Sequence, residues 1–302
     1  MGTTKRIRLL LDRRRDPDDI RPIRRGLIRR QLGRMYYKGR RYLLWWSGRI
    51  RFAREQTTDR LPHVHATHDS PLIRPLKNVD MVYQYNKITN LRVASARLDG
   101  LVLHPGETLS FWKRVRPPVA RQGYILGFEL ECGSVKPGIG GGLCQITNLL
   151  YWMTLHTDLT IAERFRHSYD VFPDVNRTLP FGSGATCVYP YRDLMVRNDT
   201  GMDFQLSLRV GETNLEGEWR ASASPINVYQ VVERNHEIRR EYWGGFSRHN
   251  ELVRLRYDPD GTYLDEEYVT ENHAVMMYAP FLNDEGSQDV SVLDPTSAAP
   301  TS

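Results

Sequence analysis

Apolar and polar positions along the chain change period several times, and each change marks an element. From Asp80 to Leu98, the apolar residues Val82, Tyr85, Ile88, Leu91 and Ala94 recur every three or four positions. That spacing predicts an amphipathic helix, which Gly100 ends. Leu101 to Leu103 and Thr108 to Phe111 read as a hairpin around Pro105 and Gly106. Residues 117–142 are rich in Gly and Pro, with a short strand near Phe128 to Cys132. Leu143 to His156 is apolar on nearly every face, which predicts a buried helix. Strands are expected at about 159–165, 185–189, 193–197, 203–210 and 215–221. Strand-like segments continue over 225–280, with a turn at Asp258, Pro259, Asp260, Gly261. The fold class is therefore α+β, mainly antiparallel strands packed around a buried helix.

Three stretches fall outside this pattern. Ile20 to Phe52 can form a helix with Ile23, Leu27, Ile28, Leu32, Met35 and Tyr36 on one face and arginines over most of the rest. Residues 56–80, with Pro62, Pro71 and Pro75, show no period and read as a linker. The tail from Asn283 is short of apolar residues, and disorder is expected there. The organisation is a basic helical arm (1–55), a linker (56–77), a main domain (78–222), a β-rich extension (223–282) and a disordered tail (283–302).

Charge sharpens the picture of the arm. Residues 1–54 hold 18 Lys and Arg against 4 Asp and Glu, a net of +14, which leaves −8 for the remainder of a chain whose total is +6. Three uses suit such a helix: packing its stripe on the body, lying on an anionic membrane surface, or, with less support, binding nucleic acid. No run of 18 apolar residues predicts a transmembrane helix, and the N-terminus lacks the apolar core of a signal peptide. A cytoplasmic location, peripheral at the inner face of the membrane, is expected.

Candidate chemistry centres on Gly140, Gly141, Gly142, Leu143, Cys144, Gln145. Three glycines before a helix imply positive φ or close approach of a ligand. A phosphate loop is disfavoured, because no GxxxxGK[ST] pattern exists and no Lys follows the glycines. A cysteine in the first turn of a helix is instead favoured as thiolate by the helix dipole. Amides of the glycine loop, with the Gln145 side chain, would form an oxyanion site. His167 is the candidate base, because an antiparallel return from the buried helix brings it back toward the helix start. Asp170, Asp174 and Glu163 are candidates to orient it, and no spacing selects one. The competing reading makes Cys144 a small buried hydrophobe and His167 an exposed strand-end residue.

The other candidates are weaker. With three cysteines, a Cys132–Cys187 disulfide leaves Cys144 as a thiol, although reduced cysteines are the default in the cytosol. His63, His65 and His68 suggest a metal cluster, but only Asp69 accompanies them, so they read as loop histidines. No metal or other cofactor is expected.

The stretch GGGLCQITNLLYWMTLHTDLTIAERFRHS closely resembles the signature of the VanW family. Upstream, MVYQYNKITNLRVASARLDGLVLHPGETLSFW is similar to that family's helix and PGExxSFW hairpin; downstream, GATCVYPYRDLMVRNDTGMDFQL is similar to its DLxxRND strand pair. The resemblance runs from about Asn78 to Glu218 and is strongest to the form found in B-type vancomycin-resistance gene clusters. It implies an accessory role in glycopeptide resistance or cell-wall metabolism. The implied chemistry is L,D-transpeptidase-like acyl transfer on peptidoglycan stem peptides or precursors. Cys144 would be the nucleophile, His167 its base, and Gly141, Gly142 and Gln145 would shape the oxyanion site. The alternative is a non-catalytic module that binds such a precursor or a partner of the resistance machinery. Where many members carry GxDAT, this chain has Gly182, Ser183, Gly184, Ala185, Thr186, so a histidine-orienting role falls to another group.

Overall fold

The helix that is apolar on nearly every face lies in the core, and the sheets are arranged to cover it. The computed structural model describes residues 5–6, 26–73, 80–131, 134–166, 169–170, 179–242 and 244–278. Among these residues, the α-helices are α1 (Leu27–Trp46), α2 (Met81–Ser95), α3 (Phe111–Val115) and α4 (Cys144–Leu155). In α4, Ile146, Leu149, Leu150, Tyr151, Met153 and Leu155 are all buried. Each such side chain contributes roughly 1.5–3 kcal/mol when withdrawn from water.

One face of α4 packs on an antiparallel sheet ordered His63–Pro71, Asn214–Ala221, Phe204–Val210, Val102–Leu103. The strand Asn214–Ala221 alternates strictly, burying Leu215, Gly217, Trp219 and Ala221. A Cβ at Gly217 would lie 2.5 Å from Leu149 Cδ2, so glycine is what lets α4 approach this closely. Trp219 Nε1 donates to Thr154 Oγ1 at 3.0 Å, which satisfies the buried indole. A second antiparallel sheet, Thr108–Ser110, Met195–Arg197 and Thr160–Glu163, reaches α4 through its last strand.

The C-terminal extension is an antiparallel meander of Val228–Arg240, Phe246–Tyr257 and Tyr263–Met276. The expected turn at Asp258–Gly261 joins its last two strands, with Gly261 at φ 87°. Arg254 ties this meander to the core: it donates to Thr157 O at 2.9 Å, just past the end of α4. A guanidinium there complements the negative end of the helix.

The α+β expectation holds, while several local expectations do not. The segment read as a linker contains the edge strand His63–Pro71. Its prolines bound the strand instead of breaking it, and only two of its nine residues are buried, so no alternation was visible. Leu101–Leu103 and Thr108–Phe111 do not pair with one another; they enter different sheets, and Phe111 begins α3 behind the N-cap Ser110. Around 185–189 there is one bridge, Val188 with Arg192, and no strand. The amphipathic face of α2 holds at Leu91 and Ala94, which are buried, but is turned in the N-terminal half: Val82 and Tyr85 are exposed, while Gln84, Lys87 and Asn90 are buried. Ile20, Ile23, Asp174 and the tail from Asn283 lie outside the described residues.

The arm is not detached at its C-terminal end. Arg41 of α1 is buried and donates through Nη1 to Glu163 Oε2 at 2.9 Å, with Nη2 on Glu163 Oε1. Trp45 Nε1 donates to Ser110 Oγ at 3.1 Å, and the hydroxyls of Tyr42 and Tyr189 lie 2.8 Å apart. Removing one partner of a buried ion pair strands the other charge in a low dielectric. Arg41→Ala is therefore expected to destabilise the fold by about 3–5 kcal/mol. Urea denaturation measures this, and a loss below about 1 kcal/mol, the value of an exposed pair, would reject the assignment.

Candidate functional site

The buried polar face of α2 holds the glycine loop. Asn90 is fully buried, and its Nδ2 donates to Gly141 O at 2.9 Å and to Ile125 O at 3.1 Å. Its Oδ1 accepts from Ile125 N at 2.9 Å. The glycines are required by the chain itself. A Cβ at Gly141 would lie 2.4 Å from the carbonyl carbon of Gly127, and one at Gly142 would lie 2.2 Å from the Lys87 stem. Gly142 also has φ 95°, a conformation that L side chains rarely adopt. The close approach expected of a ligand is thus made by α2 and by the strand Leu126–Glu131.

Lys87 was not found by sequence reasoning, because it lies 55 residues before Gly142 in the chain and reaches the loop only through α2. The structure puts this buried lysine against the loop, with Nζ 5.6 Å from the Phe128 ring centre. The signal available was the three-residue spacing of Gln84, Lys87 and Asn90 on one face of a helix.

Cys144 occupies the first turn of α4 and is half-buried. The first turn is stitched to the segment 184–187: Thr147 Oγ1 donates to Ala185 O at 2.6 Å, and Ala185 N donates to Asn148 Oδ1 at 2.8 Å. This brings Cys187 Sγ to 3.7 Å from Cys144 Sγ, a contact and not a bond. Cys187 is buried, and burial together with its contact to Cys144 holds its thiol well above the usual range. The Cys132–Cys187 pairing is replaced here by the approach of Cys187 to Cys144; Cys132 lies outside the described residues. Among the described residues, no acceptor takes the amide N–H of Gly142 or Leu143, as is usual at a helix start.

The other predicted site residues divide. Gln145 is turned into the body, its Nε2 donating to Ser70 Oγ at 2.6 Å and to Pro71 O at 2.9 Å, so it is committed to the edge strand and does not face the thiol as an oxyanion donor. Glu163 is taken by Arg41 and is not an orienting group for a histidine. Asp170 Oδ2 accepts from the Tyr278 hydroxyl at 3.0 Å and lies 3.5 Å from Arg248 Nη1. His167 lies outside the described residues. The chain two residues before it does return to the site: Thr186 N donates to Phe165 O at 2.7 Å, one residue from Cys187. His63, His65 and His68 lie on the edge strand, His65 against Ala223 O at 2.8 Å and His68 beside the Trp152 ring.

The chain matches the family described as "VanW like protein" over residues 86–220. It is 35% identical over 196 residues to the vancomycin B-type resistance protein VanW of Enterococcus faecalis (strain ATCC 700802 / V583), covering 65% of this chain and 71% of that protein. The chain belongs to the VanW family. A shorter stretch of 82 residues is 29% identical to the uncharacterized protein YoaR of Bacillus subtilis (strain 168), covering 27% of each. No solved structure was found to match it. Among the described residues, no helix is long and apolar enough to cross a membrane.

Within this VanW domain a carboxylate sits close behind the thiol pair. Asp193 is completely buried, and its oxygens accept from Ser110 Oγ at 2.5 Å and Trp112 N at 2.9 Å. Burial pushes its pKa up to about 7, with Glu163 adding to the rise and Arg41 opposing it. Folded Asp193 therefore holds a proton that the unfolded chain has released. Its contribution to stability falls as pH rises through the window from 3.8 to about 7. Asp193→Asn removes this dependence. Urea midpoints at about pH 5 and about pH 8 are expected to show wild type losing stability relative to the variant at the higher pH. Parallel behaviour of the two proteins would contradict it.

Proposed function

We propose that this chain is an accessory protein of glycopeptide (vancomycin) resistance or cell-wall metabolism in which Cys144 accepts an acyl group from a peptidoglycan stem peptide or precursor. The observation that carries the reading is the half-exposed Cys144 thiol in the first turn of α4, directly after Gly142 and Leu143, whose amides have no acceptor among the described residues. The positive end of α4 favours the thiolate, and the two amides suit the oxygen of a tetrahedral intermediate. Cys144 Sγ adds to the substrate carbonyl, the amide C–N bond breaks, and the amine leaves with a proton from the base. An acceptor amine then displaces Sγ from the thioester and restores the thiol. His167 is the base in this reading. The printed name of the Enterococcus relative supports the resistance setting.

A second reading, a module that binds a cell-wall precursor, is favoured by one observation. The Gln145 Nε2 is spent on Ser70 and Pro71, while the stem of Lys87 packs on Gly142 and puts a basic residue beside the glycine loop. Treatment with a carbapenem followed by peptide mapping separates the two. Acyl transfer predicts a covalent adduct on Cys144, none on buried Cys187, and none in Cys144→Ser. Absence of the adduct, together with unchanged affinity of Cys144→Ala for the stem peptide, would leave only the binding module.

A further inference from the structure

The apolar stripe of α1 faces away from the protein. At 100° per residue, Ile28, Leu32, Met35, Tyr36, Leu43 and Trp46 fall within one sector of roughly 100°. Each is strongly exposed, between 62% and 78%. The opposite face is the one fixed to the body, by Arg41 on Glu163 and by Trp45 on Ser110. The rotation of α1 about its axis is therefore set by buried polar contacts, and its stripe is held outward over roughly 27 Å. Exposed Arg29 and Arg40 lie within about 40° of the Tyr36 edge of the stripe, while exposed Arg34 and Lys38 lie round the helix on the side of Trp45.

We propose that α1 is an interfacial helix that docks this protein on an anionic lipid surface, with its stripe in the acyl boundary and the flanking bases among the headgroups. The charge pattern selects this occupant. A second copy would bring the arginine edges of two stripes together, whereas a lipid surface with anionic headgroups neutralises that edge while it takes the stripe. Nucleic acid would use the bases and leave the stripe in water. The root of α1 contacts Tyr189, two residues from Cys187. Docking through α1 thus holds the thiol pair near the lipid plane.

The test uses the full chain and vesicles of phosphatidylcholine, alone or mixed with phosphatidylglycerol. Co-sedimentation is expected with the mixed vesicles and several-fold less with neutral ones, and it weakens as salt rises. Leu32→Asp with Met35→Asp abolishes it, while the exposed Ile226→Asp on the far extension does not. Quenching by brominated lipid provides a second measurement, expected in wild type and reduced in Trp46→Phe. Equal binding to neutral vesicles, binding that survives the double substitution, or self-association relieved by that substitution without vesicle binding would each overturn the proposal.

Discussion

Asn90 is the residue on which the geometry around Cys144 depends. Its carboxamide is fully buried and uses both ends, accepting from Ile125 N and donating to Ile125 O and Gly141 O. A buried backbone carbonyl with no partner costs about 1–3 kcal/mol, so the loop has strong reason to remain where Asn90 holds it. Fixing Gly141 fixes the loop against Gly127 and Lys87, and that in turn sets where α4 begins. Thr147 and Asn148 then carry the alignment across to the segment bearing Cys187. The thiol contact is the far end of a chain of polar clamps, and no apolar contact could specify it as narrowly.

The second organising element is the buried group of Arg41, Glu163 and Asp193. It joins α1, the strand Thr160–Glu163 and the segment leading into Met195–Arg197. One guanidinium stands near two carboxylates, and Asp193, pushed up toward neutrality, relieves the imbalance. The arm is therefore part of the fold at its root although it stands exposed beyond it. A helix packed through an arginine and two hydrogen-bonding aromatics does not need its apolar stripe for the body, and that stripe is left to face outward.

The sequence made the apolar parts legible and the polar clamps largely illegible. The helix at 143–156 was plain because a run apolar on every face has one physical solution, burial. The strands Phe204–Val210 and Asn214–Ala221 were plain for a related reason, since alternation survives wherever one face is covered. His63–Pro71 was hidden because an edge strand buries so little that its pattern resembles a loop. The apolar spacing of α2 marks burial at Leu91 and Ala94 but not in its N-terminal half, where the helix buries Gln84, Lys87 and Asn90 to organise a loop. Glu163 and Gln145 were assigned to chemistry from their places in the motif. Their true partners, Arg41 and Ser70, lie 122 and 75 residues away, and no local spacing reports such contacts.

The position of Gly184 bears most directly on what the thiol can do. A Cβ at residue 184 would lie 2.6 Å from Asn148 Oδ1, the atom that accepts Ala185 N. Asn148 therefore occupies the space into which the aspartate carried by many family members would project. Glycine at 184 and asparagine at 148 are complementary: one vacates a volume and the other fills it with a neutral acceptor that pins the same backbone. The segment keeps its alignment without a carboxylate at residue 184. An added negative charge there would have opposed thiolate formation at Cys144, since like charges in a low dielectric disfavour a second ionisation.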